Sequence, residues 1–274
     1  MGQFDIAKDL ILLAKSCGAD YAKFQKRNAK ELLTSEQYNA PHPVPYNAYG
    51  STYGEHREYL EFSKEQHAAL KAYADSIGIA YTTSVWDIIS AKEIIELNPD
   101  FIKIPSACNN NFEMLEMLRD EYKGDIHVSF GMTTKEEEDA VVHFFEEKGA
   151  AKERLVIYSC TSGYPVPFKD VCLLEILRLK EKFGDRVKEV GFSGHHLGIA
   201  IDVAAYTLGA VWIERHFTKD RTWKGTDHAA SLEMPGMQKL VRDLQHTYDA
   251  LTYKRDDILA IEAEQREKLK YRKH

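Results

Sequence analysis

Residues 79–106 read IAYTTSVWDIISAKEIIELNPDFIKIPS. A β-branched and aromatic run at 79–85 is followed by apolar residues at helical spacing over 88–97. A second apolar run then spans 101–106. The pattern is strand, helix, strand, and two strands joined through a helix lie parallel with a right-handed crossover. The unit recurs downstream. Helix 112–122 leads to strand 126–132, helix 135–148, strand 155–161, helix 170–183, strand 189–195, helix 198–208, strand 211–217 and helix 237–251.

Upstream, residues 4–17 (FDIAKDLILLAKSC) predict a helix stopped by Gly18, and residues 19–25 (ADYAKFQ) predict a strand. A helix is expected over 63–77, with Ser63 as N-cap and Gln66 completing a capping box. Between them, residues 28–53 place Pro41, Pro43 and Pro45 among Asn, Ser and Gly, which reads as a long loop or lid. Residues 55–59 (EHREY) read as a solvated charged face. A charged helix over 256–271 closes the chain, with 268–274 as its frayed end.

This makes seven strands and a leading helix with no strand before it. Two α/β architectures accommodate that count: a (β/α)8 TIM barrel beginning one strand late, or an open doubly wound sheet. The 274 residues suit one α/β barrel, with 1–251 as the barrel domain and 252–274 as an appended charged helix. Lys plus Arg is 36 against 43 for Asp plus Glu, so the net charge is −7, which argues against a nucleic-acid partner. No apolar run approaches the ~20 residues of a membrane span, and no signal peptide opens the chain. Cys17, Cys108, Cys160 and Cys172 form no CxxC pair and are expected as reduced thiols in a cytoplasmic protein.

In a parallel barrel the chemistry sits at the C-terminal ends of the strands. The polar residues collect there. Lys23 and Lys103 each lie in an apolar strand, where a bare ammonium is strongly disfavoured. Either a buried Asp or Glu pairs with each, or each faces solvent on a shorter strand, or a phosphate or carboxylate ligand meets them. Two lysines with Ser84, Ser106, Ser162 and Ser193 at neighbouring strand ends favour anion binding. His195 and His216 end consecutive strands and could hold Mn²⁺, Zn²⁺ or Fe²⁺ between them. The bland alternative is one core histidine and one capping histidine. His196, next along the strand, should point away, and His228 is a nearby competitor. The loop Lys224-Gly225-Thr226-Asp227-His228 offers a carboxylate for sugar hydroxyls, or is an ordinary turn.

Six segments, GADYAKFQ (18–25), FIKIPSACNNN (101–111), SFGMTT (129–134), YSCTSGYPVP (158–167), GFSGHHLG (191–198) and IERHFTKDRTWKGTDHAASLEMP (213–235), occur in an order that resembles the sialic acid synthase family. Enzymes of that family condense phosphoenolpyruvate with an N-acetylated aldose, releasing a nonulosonic acid and phosphate. The resemblance implies a TIM barrel and a divalent metal on His195 and His216, Mn²⁺ first, with Mg²⁺ or Co²⁺ as alternates. It implies phosphoenolpyruvate contacts from Lys23, Lys103, Ser106, Ser162 and Ser193. Ser84 stands where the family often has Thr. Gln25, Tyr164 and Asp227 match positions that contact the amino sugar. Lys23, Lys103, His195 and His216 make up the expected catalytic set, and a homodimer is the family expectation.

Three departures accompany the match. The family opens with a strand reading roughly AEIGxNHxG, whose Glu is an acid/base candidate, and Met1-Gly2 align with its last two positions. Cys108 stands where the family has an acidic residue. The chain ends about where the barrel does, without the antifreeze-like domain of many members. Two competing expectations follow: a catalytically impaired, truncated barrel acting as a binding protein, or a two-histidine metal hydrolase. The second lacks the early HxH pair such enzymes use.

Overall fold

The computed structural model describes residues 3–271. Seven strands form one sheet: β1 Tyr21–Lys26, β2 Ala80–Val85, β3 Phe101–Ile104, β4 Asp125–Ser129, β5 Leu155–Cys160, β6 Glu189–Gly194 and β7 Trp212–Arg215. Each strand pairs in parallel with the next, in the order β1 to β7. A doubly wound sheet reverses its strand order at a switch point. The unbroken order here sets that alternative aside.

The sheet is curled. β1 and β7 are its two edges, yet the ring of Tyr21 lies 5.6 Å from that of Trp212. Lys23 Nζ on β1 lies 3.5 Å from the Glu214 carboxylate on β7. Their side chains meet across the inside, while the described backbone pairs β1 only with β2 and β7 only with β6.

The outward face of the strands packs on the helices. Ile102, Ile104, Ile126, Val128, Ile157 and Phe192 share one apolar cluster with Ile94, Leu118, Val141, Phe145, Leu179 and Phe183. Strands covered on both faces show near-continuous burial, which is why the runs look apolar rather than alternating. A second cluster joins Ala7, Ile11 and Ala14 to Leu70, Ala74, Ala22 and Tyr81 beside β1 and β2.

Local chemistry sets most boundaries. The helix Phe4–Cys17 ends at Gly18, which takes the left-handed conformation at φ 85°. Ser63 and Gln66 form the expected capping box at the head of Lys64–Ile77. Other ends move. The helix expected over 135–148 stops at Glu146, and after Gly149 (φ 70°) a separate turn forms at Ala150–Arg154. The helix expected from 170 begins at Glu175, behind the single turn Phe168–Asp170. The closing helix is shorter, Ala260–Leu269, and residues 272–274, like Met1 and Gly2, lie outside the described residues.

Residues 28–53 are not a structureless loop. They contain Ala29–Leu32, Ser35–Asn39 and the single turn Pro45–Asn47, and the helix Tyr53–Leu60 follows. Asn28 caps the first, and Thr34–Gln37 and Thr52–Glu55 are capping boxes. The stretch 55–59 is therefore helical, and one of its residues is not solvated. His56 is buried and packs against His42, Tyr49 and Tyr53.

Candidate functional site

The C-terminal ends of β1, β3, β6 and β7 converge on one charged cluster. Lys103 Nζ lies 2.9 Å from Glu214, and Lys23 Nζ lies 3.5 Å from the same oxygen. Ser193 donates to the other Glu214 oxygen at 2.9 Å, and Lys23 donates to Ser84 at 3.0 Å. The acidic partner that sequence reasoning weighed and set second is thus present, but one carboxylate serves two ammoniums. With both lysines protonated the cluster carries one positive charge beyond neutrality, the condition for receiving an anion. Burial alone would raise the Glu214 carboxyl, but the ammoniums of Lys103 and Lys23 outweigh it and hold the group below the ordinary carboxylate range. Lys103, its side chain 2 % exposed, is pulled below the usual ammonium value by burial, against the attraction of Glu214.

An aromatic tier supports these charges. Lys103 Nζ sits 3.4 Å from the centroid of the Tyr158 ring, within cation–π range. The Tyr158 hydroxyl hydrogen-bonds His127 Nδ1 at 2.8 Å, and His127 stacks on Phe101 at 3.8 Å and meets Trp212 at 4.7 Å. Below this tier, Tyr21 and Trp212 line a cavity of about 590 Å³ with Lys15, Asp20 and Glu189. The rings stand between that cavity and the ammoniums.

A hydroxyl and backbone cradle lies at the ends of β4 and β5. Ser106 Oγ accepts from Gly131 N at 2.9 Å and lies 3.8 Å from Cys160 Sγ. A side chain at Gly131 would come within 2.5 Å of Ser162 Oγ and 2.8 Å of Ser106 Oγ. Glycine there keeps the space between the hydroxyls open. The neighbouring Cys160 thiol is raised by burial, so it stays protonated at neutral pH.

His195 and His216 do face each other, with ring centroids 5.3 Å apart, and Tyr164 packs against both at 4.5 and 5.7 Å. His195 Nδ1 lies 3.0 Å from the Thr161 carbonyl. It must donate there, which leaves the Nε2 lone pair free for a Lewis acid. Burial and the neighbouring His216 lower His195 to about 4, and burial lowers His216, so both are neutral at pH 7. Two neutral imidazoles suit a divalent transition metal. Among the described residues, no group of three or more His, Cys, Asp and Glu side chains forms a complete metal cage.

The remaining expected residues lie around this cluster. Gln25 is in register with Ser84 on β2. Asp227 bears on the charge states of His195, His216 and Tyr164, and it opens the turn His228–Ala230. Tyr164 is half-exposed, and its hydroxyl is raised to about 12 by burial and then by Asp227. His228 turns to Thr218 at 2.8 Å instead of joining the pair. His196 points away as expected, fully buried against Asp202. Cys108 packs in the apolar layer, and burial pushes its thiol up to about 12, so it supplies no acid or base at neutral pH.

Sequence reasoning missed Glu214, Tyr158 and Gly131. For Glu214 the signal was present. Positions 214 and 216 are two apart on one strand and share a face, so a carboxylate at 214 points into the mouth that holds His216.

The NeuB family model matches residues 10–256. The chain is 38 % identical to human N-acetylneuraminate-9-phosphate synthase over 98 % of its own length and 73 % of the relative's. It is 32 % identical to the N,N'-diacetyllegionaminic acid synthase of Campylobacter jejuni, covering 91 % of this chain and 74 % of that one. The solved N-acetylneuraminic acid (sialic acid) synthetase of Leptospira borgpetersenii superposes with a TM-score of 0.80 at 26 % identity, over 99 % of this chain and 89 % of the other. The chain belongs to the NeuB family.

Proposed function

We propose that the protein condenses phosphoenolpyruvate with an open-chain N-acetylated aldose, giving a sialic-acid-type nonulosonic acid and phosphate. The observation that carries this reading is the pairing of a net-positive cluster with a neutral imidazole pair at one mouth. The cluster, Lys23 and Lys103 around the single Glu214 carboxylate, suits a small polyanion. The imidazoles suit a metal-assisted carbonyl. The relatives named above are synthases of such acids, which supports the same reaction class and an assignment as a C–C bond-forming transferase.

In this reading Lys23 and Lys103 bind the phosphate and carboxylate by charge-assisted hydrogen bonds, with Ser84, Ser106, Ser162 and Ser193 completing the shell. Ser106, fixed by the Gly131 N–H, and Ser162 orient the phosphate through the two hydroxyls that Gly131 leaves room between. Gln25, Tyr164 and Asp227 orient the aldose. A divalent metal, Mn²⁺ first, held by His195 Nε2 and the His216 imidazole, would polarise the aldehyde oxygen as a Lewis acid. C3 of phosphoenolpyruvate bonds to the aldehyde carbon, water adds at C2, and phosphate leaves by C–O cleavage. Fixing two substrates in one orientation can supply about 7–11 kcal/mol of the barrier in favourable cases. Among the described residues the outer edges of β1 and β7 pair with no further strand, and an eighth strand there would complete the barrel.

The test is phosphate release from phosphoenolpyruvate with Mn²⁺ and a panel of aldoses: N-acetylmannosamine, its 6-phosphate and diacetamido sugars. Release requiring both metal and one sugar is expected, and it should vanish in folded His195→Ala and His216→Ala variants. Full activity in both variants, or release independent of sugar, overturns the reading.

A further inference from the structure

The outward face of β7 carries a buried guanidinium that the chemistry above does not use. Arg215 stands between Glu214 and His216, with its side chain 1 % exposed. Nη1 donates to the fully buried Asp202 carboxylate and to the Gly198 carbonyl at 2.8 Å. Nη2 donates to the carbonyls of His196 at 2.6 Å and Ala230 at 3.4 Å. His196 Nε2 lies 3.2 Å from both Arg215 Nη1 and Asp202 Oδ2.

These acceptors belong to separate segments. The His196 and Gly198 carbonyls are in the loop that leaves β6 directly after His195. Asp202 is on the helix Ala200–Thr207. Ala230 ends the turn that follows Asp227. One planar fork thus ties together the segments bearing His195, His216 and Asp227. Only arginine offers enough donors in fixed directions for this; a lysine ammonium could meet fewer of the acceptors and without the planar geometry. Without it, buried carbonyls in two loops would lose their partners.

We propose that Arg215 is a positioning residue that, with Asp202, sets the spacing between the imidazole pair and the aldose-binding Asp227. The inference rests on the reading of the site given above. Displacements of about 1 Å in such a site can cost a hundredfold in rate. Lys23 and Lys103 are anchored separately by Glu214, so the anion pocket should be much less affected.

The experiment compares Arg215→Lys, Arg215→Met and Asp202→Asn with the parent protein. Asp202→Asn preserves shape and the carbonyl contacts should Arg215→Met fail to fold. Four quantities are read: Mn²⁺ affinity by spin-resonance titration, KM for each substrate, amide exchange by segment, and melting temperature. In the folded variants Mn²⁺ affinity should fall about 10–100-fold, the range for losing groups that orient metal ligands. KM for the aldose should rise at least tenfold, on the order of one lost charge-assisted contact, with KM for phosphoenolpyruvate within about threefold of the parent. Exchange should quicken in 195–199 and 227–231 but not in 101–106. A lower melting temperature with unchanged Mn²⁺ affinity, KM values and exchange would make Arg215 a structural strut and overturn the proposal. If the parent itself neither binds Mn²⁺ nor releases phosphate with any aldose, the functional reading falls. The clamp is then judged on exchange alone, and unchanged exchange overturns it.

Discussion

At the scale of single residues, Glu214 governs the balance of charge. Lys103 is almost wholly buried and its ammonium depends on this carboxylate, with the Tyr158 face as second support. Glu214→Gln leaves that ammonium without a counter-charge. Breaking a buried pair costs about 3–5 kcal/mol, and the Glu214 side chain is 23 % exposed, so a loss of about 3 kcal/mol is expected in denaturant unfolding. Adding Lys103→Met to Glu214→Gln should recover part of it, because the orphaned charge is gone. A cost under about 0.5 kcal/mol for the single change would mean that solvent, not Glu214, stabilises Lys103. Lys103→Met alone makes a separate demand. It should raise KM for phosphoenolpyruvate by about 10–150-fold, the equivalent of a 1.5–3 kcal/mol charged hydrogen bond, and leave Mn²⁺ affinity within a factor of two. A matching loss of Mn²⁺ affinity would show that the anion and metal subsites are not separate.

At the scale of elements, the segment between β1 and Lys64–Ile77 forms a flap with defined attachments. At its root, Arg27 Nε meets Glu61 at 2.7 Å and the Asn28 N–H meets Asp87. Across the mouth, Lys224 donates to the Ala48 carbonyl and lies 4.3 Å over the Tyr49 ring, which stacks in turn on Tyr59 at 4.8 Å. A net hydrogen bond of about 1 kcal/mol with a cation–π contact of about 0.5–1 kcal/mol holds the tip closed. Lys224→Met should therefore raise the open fraction roughly 10–30-fold. That is read as faster limited proteolysis within 40–60, with little change in the melting of the barrel. Unchanged cleavage would mean that the root contacts alone hold the flap.

The same flap shows where sequence reading stops. The helix Lys64–Ile77 was legible because a long amphipathic run follows a Ser63–Gln66 box. Ala29–Leu32 and Ser35–Asn39 span four and five residues, too short for any period to register, and only their caps could have announced them. That the strands run parallel was legible from the alternation of elements, but their order was not, because alternation alone fits both a barrel and a doubly wound sheet. The convergence of Lys23, Lys103 and the two histidines followed from strand ends in a barrel. The choice of Glu214 as partner to both lysines was not, because it depends on how tightly the sheet curls.

At the scale of the whole molecule, buried histidines couple folding to pH. His67 is fully buried against the Tyr81 hydroxyl, and burial lowers it to about 4. His56 in the flap is also lowered to about 4, by burial and then by His42, and His195 in the mouth reaches a similar value. In the unfolded chain each titrates near 6.5. Well above that pH both states are neutral and the imidazoles make no pH-dependent difference. Between about 6.5 and 4 the unfolded chain takes up protons that the folded one excludes, so stability falls as pH falls. Each site contributes up to about 1.4 kcal/mol per pH unit in that window. Glu214, held below its ordinary range, adds a further loss only below about 4.5. Urea unfolding at pH 7.5, 6.5, 5.5 and 4.5 should give a shallow fall between the first two and a decline about three times steeper afterwards. His67→Gln should flatten the decline without shifting its onset. Stability that holds level from pH 6.5 to 4.5 would mean that these imidazoles take up protons in the folded protein, and with them the neutral donor pair at the mouth would be lost.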